Sequence, residues 1–284
     1  VAPPLLAVLM TSHNRRAATL SALDSLARQR GLPPGTVVRV HFVDAGSTDG
    51  TPEAVRRAHP EAEVMTVAAD VFWGHGMRIA SRNSRAAGAA TWTHQLWLGD
   101  AVTLDPDALA ELLALDGKLG SRSVVVGALR SADGTRTTYS GRRGRALDLV
   151  EPTDAPEPCD TYNGKVVLVP YEVRALTGDI DAAFPHGMGD YDHGLRARRA
   201  GVRAYVAPGH LGVCDGGPPR ADSREPGIGV REALRRVTSP RELPPRAWWL
   251  YCLRHGRPWT PFLMLAPYAR TALRAGAGHR TGRR

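Results

Sequence analysis

The sequence predicts an α/β fold: a mostly parallel sheet with helices on both faces, followed by a C-terminal helical appendage. Three observations predict it. Apolar runs of strand length repeatedly end in polar turns and hand over to helical spacing between residues 5 and 206. Aspartates stand where α/β sheets hold ligands, at strand ends (Asp44, Asp100) or a helix start (Asp190). The composition then changes: residues 220–284 hold 14 arginines, no lysine and four acids (Asp222, Glu225, Glu232, Glu242), a balance of +10. The whole chain carries +9, which leaves the rest at −1. The expected division is therefore a domain over 1–219 and a basic, aromatic-rich appendage over 220–284.

Composition narrows the class. A chain of 284 residues, 43% hydrophobic and 23% charged, suits one large α/β domain with an appendage. Cys159, Cys214 and Cys252 have no metal-ligand spacing and cannot all pair, which points to a reducing, cytoplasmic setting. No apolar run approaches the about 20 residues that span a bilayer. The opening VAPPLLAVLM has no basic residue before it and reads as a core strand, not a signal peptide.

The elements follow in order. Leu5–Thr11 is a buried strand that stops at the polar turn Ser12-His13-Asn14-Arg15. Arg16 to Gln29 repeats Leu20, Leu23, Leu26 and Ala27 on one helical face. Gly31, Pro33, Pro34 and Gly35 break the chain before a strand from Val37 to Val43, giving a β-α-β crossover. That strand ends at Asp44. Thr51 is expected to cap the next helix, with Pro52 at its first position and Glu53 complementing its dipole.

Ala62–Val67 is a third strand. The stretch Asp70 to Gly76 is expected to be a loop before a helix from Met77 to Ala87. Its Gly74-x-Gly76 is no dinucleotide fingerprint: Ile79 stands where the third glycine belongs, and the first β-α turn lacks the motif. Trp73 and His75 beside these glycines suit a substrate wall, since an indole stacks on a sugar ring.

Thr93–Leu98 is a fourth strand, ending at Gly99-Asp100-Ala101. Asp105-Pro106 leads into a helix over 107–115, and Ser123–Leu129 is another strand. From Arg130 to Pro158 the pattern degrades into an irregular insertion, with a loop from Pro152. Lys165–Val169 is a strand, Tyr171–Leu176 a short helix. A helix opening at Asp190-Tyr191-Asp192 stops at Gly201, and Val202–Val206 is the final strand, with His210 on the turn after it. In the appendage, Arg231–Val237 and Trp248–Arg254 read as helices interrupted by Pro240, Pro244, Pro245, Pro258, Pro261 and Pro267.

No nucleophile elbow, Cys/His cluster or Walker A sequence accompanies the three aspartates. Carboxylates at one sheet edge without a nucleophile suit binding a metal-nucleotide and deprotonating an alcohol.

Over residues 5–217 the chain resembles the family 2 glycosyltransferases of the GT-A, Rossmann-like fold, the type bacteria use for polysaccharides and glycolipids. The motifs come in the family's order. Thr11-x-His13-Asn14-Arg15 is followed by Val43-Asp44-Ala45-Gly46-Ser47-Thr48-Asp49-Gly50-Thr51 and Phe72-Trp73-Gly74-His75-Gly76-Met77. Next come Leu98-Gly99-Asp100-Ala101, Asn163-Gly164 and Gly189-Asp190-Tyr191-Asp192-x-Gly194-Leu195-Arg196.

The resemblance implies roles. Thr11, His13 and Arg15 line the nucleotide pocket, and Asp44 accepts a hydrogen bond from the base. Asp100 belongs to the metal and diphosphate motif. Asn163 and Gly164 sit near the sugars, with Asp192 on the acceptor side, and Asp190 is the general base of an inverting transfer. The donor would be a UDP, dTDP or GDP sugar and the acceptor a hydroxyl of a glycan or lipid-linked glycan. His210 matches a position that supplies a further metal ligand in some relatives.

The sequence departs from the pattern twice. Ala45 stands where a second Asp is common. Ala101 stands where the family usually has a residue that touches the metal, and alanine cannot coordinate. Asp100, with His210, would then hold Mg²⁺ or Mn²⁺ together with diphosphate oxygens.

Other readings stay open. A nucleotidyltransferase usually has a Gly-rich basic loop after the first strand, and Thr11–Arg16 has no glycine. A non-catalytic sugar-nucleotide binder is a reading that Ala101 keeps open. The appendage mixes arginines with Trp248, Trp249, Trp259, Phe262 and Tyr268, which suits the inner face of an anionic membrane, packing on the catalytic domain, or a homodimer. No nucleic-acid motif accompanies its charge.

Overall fold

The computed structural model describes residues 3–86, 92–215 and 222–281. Two compact units emerge, one of Val1–Asp181 with Asp190–Gly216 and one of Ala182–Gly189 with Gly217–Arg284.

The first unit opens with β1 (Leu5–Ser12), α1 (Arg16–Ala27), β2 (Val37–Ala45), α2 (Thr51–Ala58), β3 (Glu63–Val67), α3 (Trp73–Ala86) and β4 (His94–Leu98). Next come β5 (Thr103–Leu104), α4 (Ala108–Lys118) and β6 (Ser123–Arg130). The short strands β7 (Thr137–Tyr139), β8 (Gly141–Arg143), β9 (Asp148–Leu149), β10 (Glu157–Cys159) and β11 (Thr161–Tyr162) follow. The series ends with β12 (Val166–Pro170), α5 (Tyr171–Thr177), α6 (Gly189–Arg199) and β13 (Arg203–Val213).

The main sheet has the order β10-β13-β6-β12-β4-β1-β2-β3, with β5 on β13 and β7 on β6. β1 is parallel to β2 and β4, β2 to β3, and β13 to β6. β12 runs antiparallel between β4 and β6. The carboxyl ends of β1, β2 and β4 thus share an edge with the amino end of β12. The strand pleat sends alternate residues to opposite faces. Leu6, Val8 and Met10 pack with Leu23, Leu26, Leu109 and Leu112 of α1 and α4. Leu9 and Val43 pack on the other face with Met77 and Ala80 of α3 and Ala197 of α6.

Several expectations are corrected. Thr51 is not the cap of α2. Gly50, at φ 78°, holds that position, and the Asp49 carboxylate takes the Thr51 N–H at 3.0 Å and hydroxyl at 2.5 Å. α3 begins at Trp73, so Trp73 and His75 lie in its first turn, not in a loop. Glycines are poor helix formers, but here one is required by packing: a β-carbon on Gly76 would lie 2.5 Å from Thr11 Oγ1. The expected end of this helix at Ala87 lies outside the described residues.

The stretch 130–158 is not merely irregular. β7 joins the main sheet, β10 pairs with β13 across the stretch taken as a loop, and β8 forms a small sheet with β9 and β11. β13 continues past Val206 through a register shift at Gly209, φ 65°, so His210 lies inside a strand and not on a turn.

The second unit holds α7 (Val230–Val237), α8 (Pro245–His255), a 3₁₀ turn at Arg257–Trp259 and α9 (Thr260–Thr281). Pro267 lies inside α9 and does not interrupt it. Trp248 and Tyr251 stack at 5.8 Å, and the Tyr268 hydroxyl donates to the Leu243 carbonyl at 2.8 Å. Phe184, Met188 and Ala247 form this unit's own core.

Candidate active site

Asp44 is fully buried at the end of β2, opposite Ser12 of β1. Its Oδ2 accepts the Ser47 N–H at 3.0 Å, while Oδ1 has no partner. A buried acceptor left without a donor is costly. His13 donates from Nδ1 to the Ala45 carbonyl at 2.7 Å. Asn14, at φ 52°, donates its N–H to Ser47 Oγ and accepts the Thr48 N–H, both at 2.8 Å. The two loops that follow β1 and β2 are thereby laced together. Thr11 is buried beneath Gly76 of α3.

The end of β4 meets the start of β12. Register Val166↔Leu98 sets Lys165 beside Gly99, whose N–H donates to the Lys165 carbonyl at 2.8 Å. The next residue, Asp100, reaches back to β1's loop: Arg15 Nη1 lies 3.4 Å from Asp100 Oδ1. Lys165 is a cation the sequence reading passed over. Its ammonium lies 5.4 Å from the centroid of the Tyr139 ring.

Asn163, Gly164 and Lys165 make a tight turn, with the Lys165 N–H on the Asn163 carbonyl at 2.9 Å. Asn163 is fixed on both sides: Oδ1 accepts Arg142 Nε at 3.0 Å and Nδ2 donates to the Tyr191 hydroxyl at 3.0 Å. Gly164 donates its N–H to Asp190 Oδ2 at 2.9 Å, and Asp190 Oδ1 accepts the Tyr191 N–H at 2.9 Å. Desolvation pushes the Asp190 carboxyl above the ordinary range, against the pull of those two N–H groups and of Lys165. Trp73 lies over Gly164, where a β-carbon would approach its ring to 2.6 Å.

Asp44, Asp100, Asn163 and Gly164 thus lie at strand ends or on turns tied to them, and Asp190, in the first turn of α6, is bonded to Gly164. Arg142 and Tyr191 join them and were not foreseen; Arg142 lay in the stretch whose pattern had degraded. His75 is half-buried on α3. Asp192 points into the protein, fully buried and paired with Arg196 Nε at 2.7 Å. His210 shares a hydrogen bond with Thr137 Oγ1 at 2.8 Å, and its charged neighbours are Arg130, Glu151 and Asp105.

These donors do not fit a resident Mg²⁺ or Mn²⁺. Asp100 offers one carboxylate, already facing a guanidinium. Ala101 packs against the core. Among the described residues, no group of three or more His, Cys, Asp or Glu is placed to hold a metal.

The family model described as Glycosyl transferase family 2 matches residues 7–165. The chain belongs to this family. Sugar transfer is the family's activity, and the α/β architecture described above is its GT-A fold. No curated sequence matches this family 2 chain. Among solved structures it is similar to a mannosyltransferase from Pyrobaculum calidifontis in complex with GDP-Man and Mn²⁺. The TM-score is 0.58 at 20% identity, over 98% of this chain and 76% of that one. It is also similar to TarS of S. aureus, with a TM-score of 0.56 at 12% identity, over 90% of this chain and 43% of that one. At these identities the likeness concerns the fold.

Proposed function

We propose that this family 2 glycosyltransferase moves a hexosyl or deoxyhexosyl group, with inversion, from a nucleoside-diphosphate sugar to a hydroxyl of a glycan or lipid-linked glycan. The observation that carries the proposal is Asp190. Its carboxyl is desolvated, held by two N–H groups, and set beside Gly164 and Trp73 at the edge that also bears Asp44 and Asp100.

The nucleotide lies over β1 and β2, where Asp44 Oδ1 accepts an N–H of the base and His13 and Arg15 flank it. The sugar lies toward Trp73 and the Asn163-Gly164 turn. Asp190 takes the proton of the acceptor hydroxyl as that oxygen attacks the anomeric carbon and the bond to the diphosphate oxygen breaks. The protein relative solved with GDP-Man and Mn²⁺ supports a nucleotide-sugar donor. No step is assigned to a metal, because the donor set here does not fit one.

Asp190→Asn is expected to abolish transfer while sparing nucleotide binding; surviving transfer overturns the assignment. Thermal stabilisation by UDP, dTDP or GDP identifies the base. A chain that binds one of these yet neither transfers nor hydrolyses any of its sugars is a non-catalytic relative.

We also propose that the second unit places the enzyme at an anionic membrane surface, on the cytoplasmic side. Trp249, Leu253, Trp259, Phe262 and Leu265 are exposed there, together with Arg246, Arg270 and Arg274. No described helix is long and apolar enough to cross a membrane.

A further inference from the structure

We propose that Lys165, with Arg15, takes the place of the divalent cation in this chain, so that the donor diphosphate binds without metal. This rests on the nucleotide-sugar reading above and deepens it.

A diphosphate brought to this edge needs positive charge to face it. The carboxylates that would recruit that charge as a metal ion are depleted: Ala101 has no ligand atom, and Asp100 Oδ1 faces Arg15 Nη1 at 3.4 Å. The charge is instead built into the chain. Arg15 has five N–H donors in a rigid fork, and only one of them faces Asp100. Asp100 then serves to hold that guanidinium between the ends of β1 and β4.

Lys165 supplies the second cation. Its stem lies against Gly99, where a β-carbon would sit 2.8 Å from Cδ and 3.5 Å from Nζ. Any larger residue at 99 would displace the stem from this position. The ammonium therefore lies beside Gly99, the residue before Asp100, and its field also reaches Asp190. No carboxylate among the described residues lies within ion-pair reach of it. A half-buried lysine without a carboxylate in ion-pair reach offers its charge to an anion. Composition argues in the same direction. The 37 basic residues of the chain include two lysines, Lys118 and Lys165, so lysine at this edge departs from a strong preference for arginine. An ammonium is a compact point charge on a flexible stem and a guanidinium a rigid planar fork, so the two are not interchangeable beside Gly99.

The test is calorimetric titration of the full chain with UDP, dTDP and GDP and the matching monophosphates, in EDTA and then in Mn²⁺. The expected result is diphosphate binding of similar strength in both. Lys165→Met should weaken the diphosphate about 10- to 100-fold, as expected for a charged hydrogen bond, and leave the monophosphate nearly unchanged. Lys165→Arg should recover little. Ala101→Asp should strengthen diphosphate binding in Mn²⁺ only. Wild-type binding that requires Mn²⁺, or equal losses for mono- and diphosphate in Lys165→Met, overturns the inference and leaves the sugar-transfer reading standing. No binding of any nucleotide in either condition overturns that reading, and the inference with it.

Discussion

The indole of Trp73 and the backbone of Gly164 are in contact so close that no side chain fits between them; a β-carbon at 164 would lie 2.6 Å from two ring atoms. The contact joins the first turn of α3 to the turn that carries the Asp190 hydrogen bond. Gly164→Ala must push that turn or the indole aside, and the 2.9 Å bond from Gly164 N–H to Asp190 moves with it. A displacement of about 1 Å at a reacting centre costs on the order of 100-fold in rate. The expected outcome is a loss of that size in kcat with nucleotide affinity kept, because Asp44 and its loops are untouched. Steady-state kinetics beside calorimetry check it.

As the proposed general base, Asp190 is expected to set the acid limb of the pH profile. Desolvation holds its pKa above the ordinary carboxylate value, so kcat/KM should fall on acidification at a pH higher than a free aspartate would give. Removing the favourable charge in Lys165→Met should move the limb further up. The same shift bears on stability. A folded-state pKa raised above the unfolded one stabilises the protein below the unfolded value, and that contribution is lost as pH rises through the folded one. At neutral pH the ionised carboxylate is therefore a strain on the fold. Asp190→Asn should melt at a higher temperature than the wild type at pH 7.5 and show little advantage at pH 4; differential scanning fluorimetry at the two pH values decides it.

His193 makes the fold acid-sensitive. The ring is fully buried, with Nδ1 bonded to the Tyr162 hydroxyl at 2.6 Å and Nε2 to the Gly178 carbonyl at 3.1 Å. Trp97 packs on it at 4.9 Å. Desolvation and then the Arg196 charge lower its pKa from 6.5 to about 4. The unfolded chain binds this proton first as pH falls, so stability is full above pH 6.5 and is lost on the way down to about pH 4. The loss reaches about 3 kcal/mol at one pKa unit per 1.36 kcal/mol. Urea unfolding between pH 7 and 4.5 should show it, and His193→Gln should flatten that dependence at a cost in stability at pH 7.

Most of the parallel sheet was legible because its signal is local. Leu5–Ser12, Val37–Ala45 and His94–Leu98 are apolar runs that stop at polar turns, and the carboxylates at their ends follow from register. What the sequence concealed depends on distant partners. The start of α3 was hidden by Gly74 and Gly76, read as loop formers, although Gly76 is small because Thr11 lies beneath it. β7 to β10 are two or three residues long and hold their shape by pairing with β6, β13 and one another, so no periodicity marks them. His210 and Asp192 looked alike as polar residues near motifs; the fold gives one to Thr137 and the other to Arg196. Lys165 carried a compositional signal, as one of two lysines, that motif reading passed over.

The second unit should bind anionic vesicles through the side chains it leaves uncovered. Trp259, Phe262 and Leu265 are 59%, 68% and 62% exposed and follow one another at intervals of three, so Phe262 and Leu265 share a side of α9. Trp249 and Leu253 are one turn apart on α8, also exposed. Trp248, Tyr251 and Tyr268, by contrast, are engaged within the unit. Arg246, Arg270 and Arg274 are exposed, and each arginine near an anionic surface adds about 1 kcal/mol. Co-sedimentation with vesicles rich in anionic lipid should therefore be strong at low salt and weaker at high salt, with neutral vesicles left unbound. Substituting Ser at 259, 262 and 265 together should reduce the bound fraction several-fold while nucleotide binding stays at the wild-type level. Equal co-sedimentation of the variant and the wild type would remove these side chains from the membrane contact, and equal binding to neutral vesicles would remove the arginines.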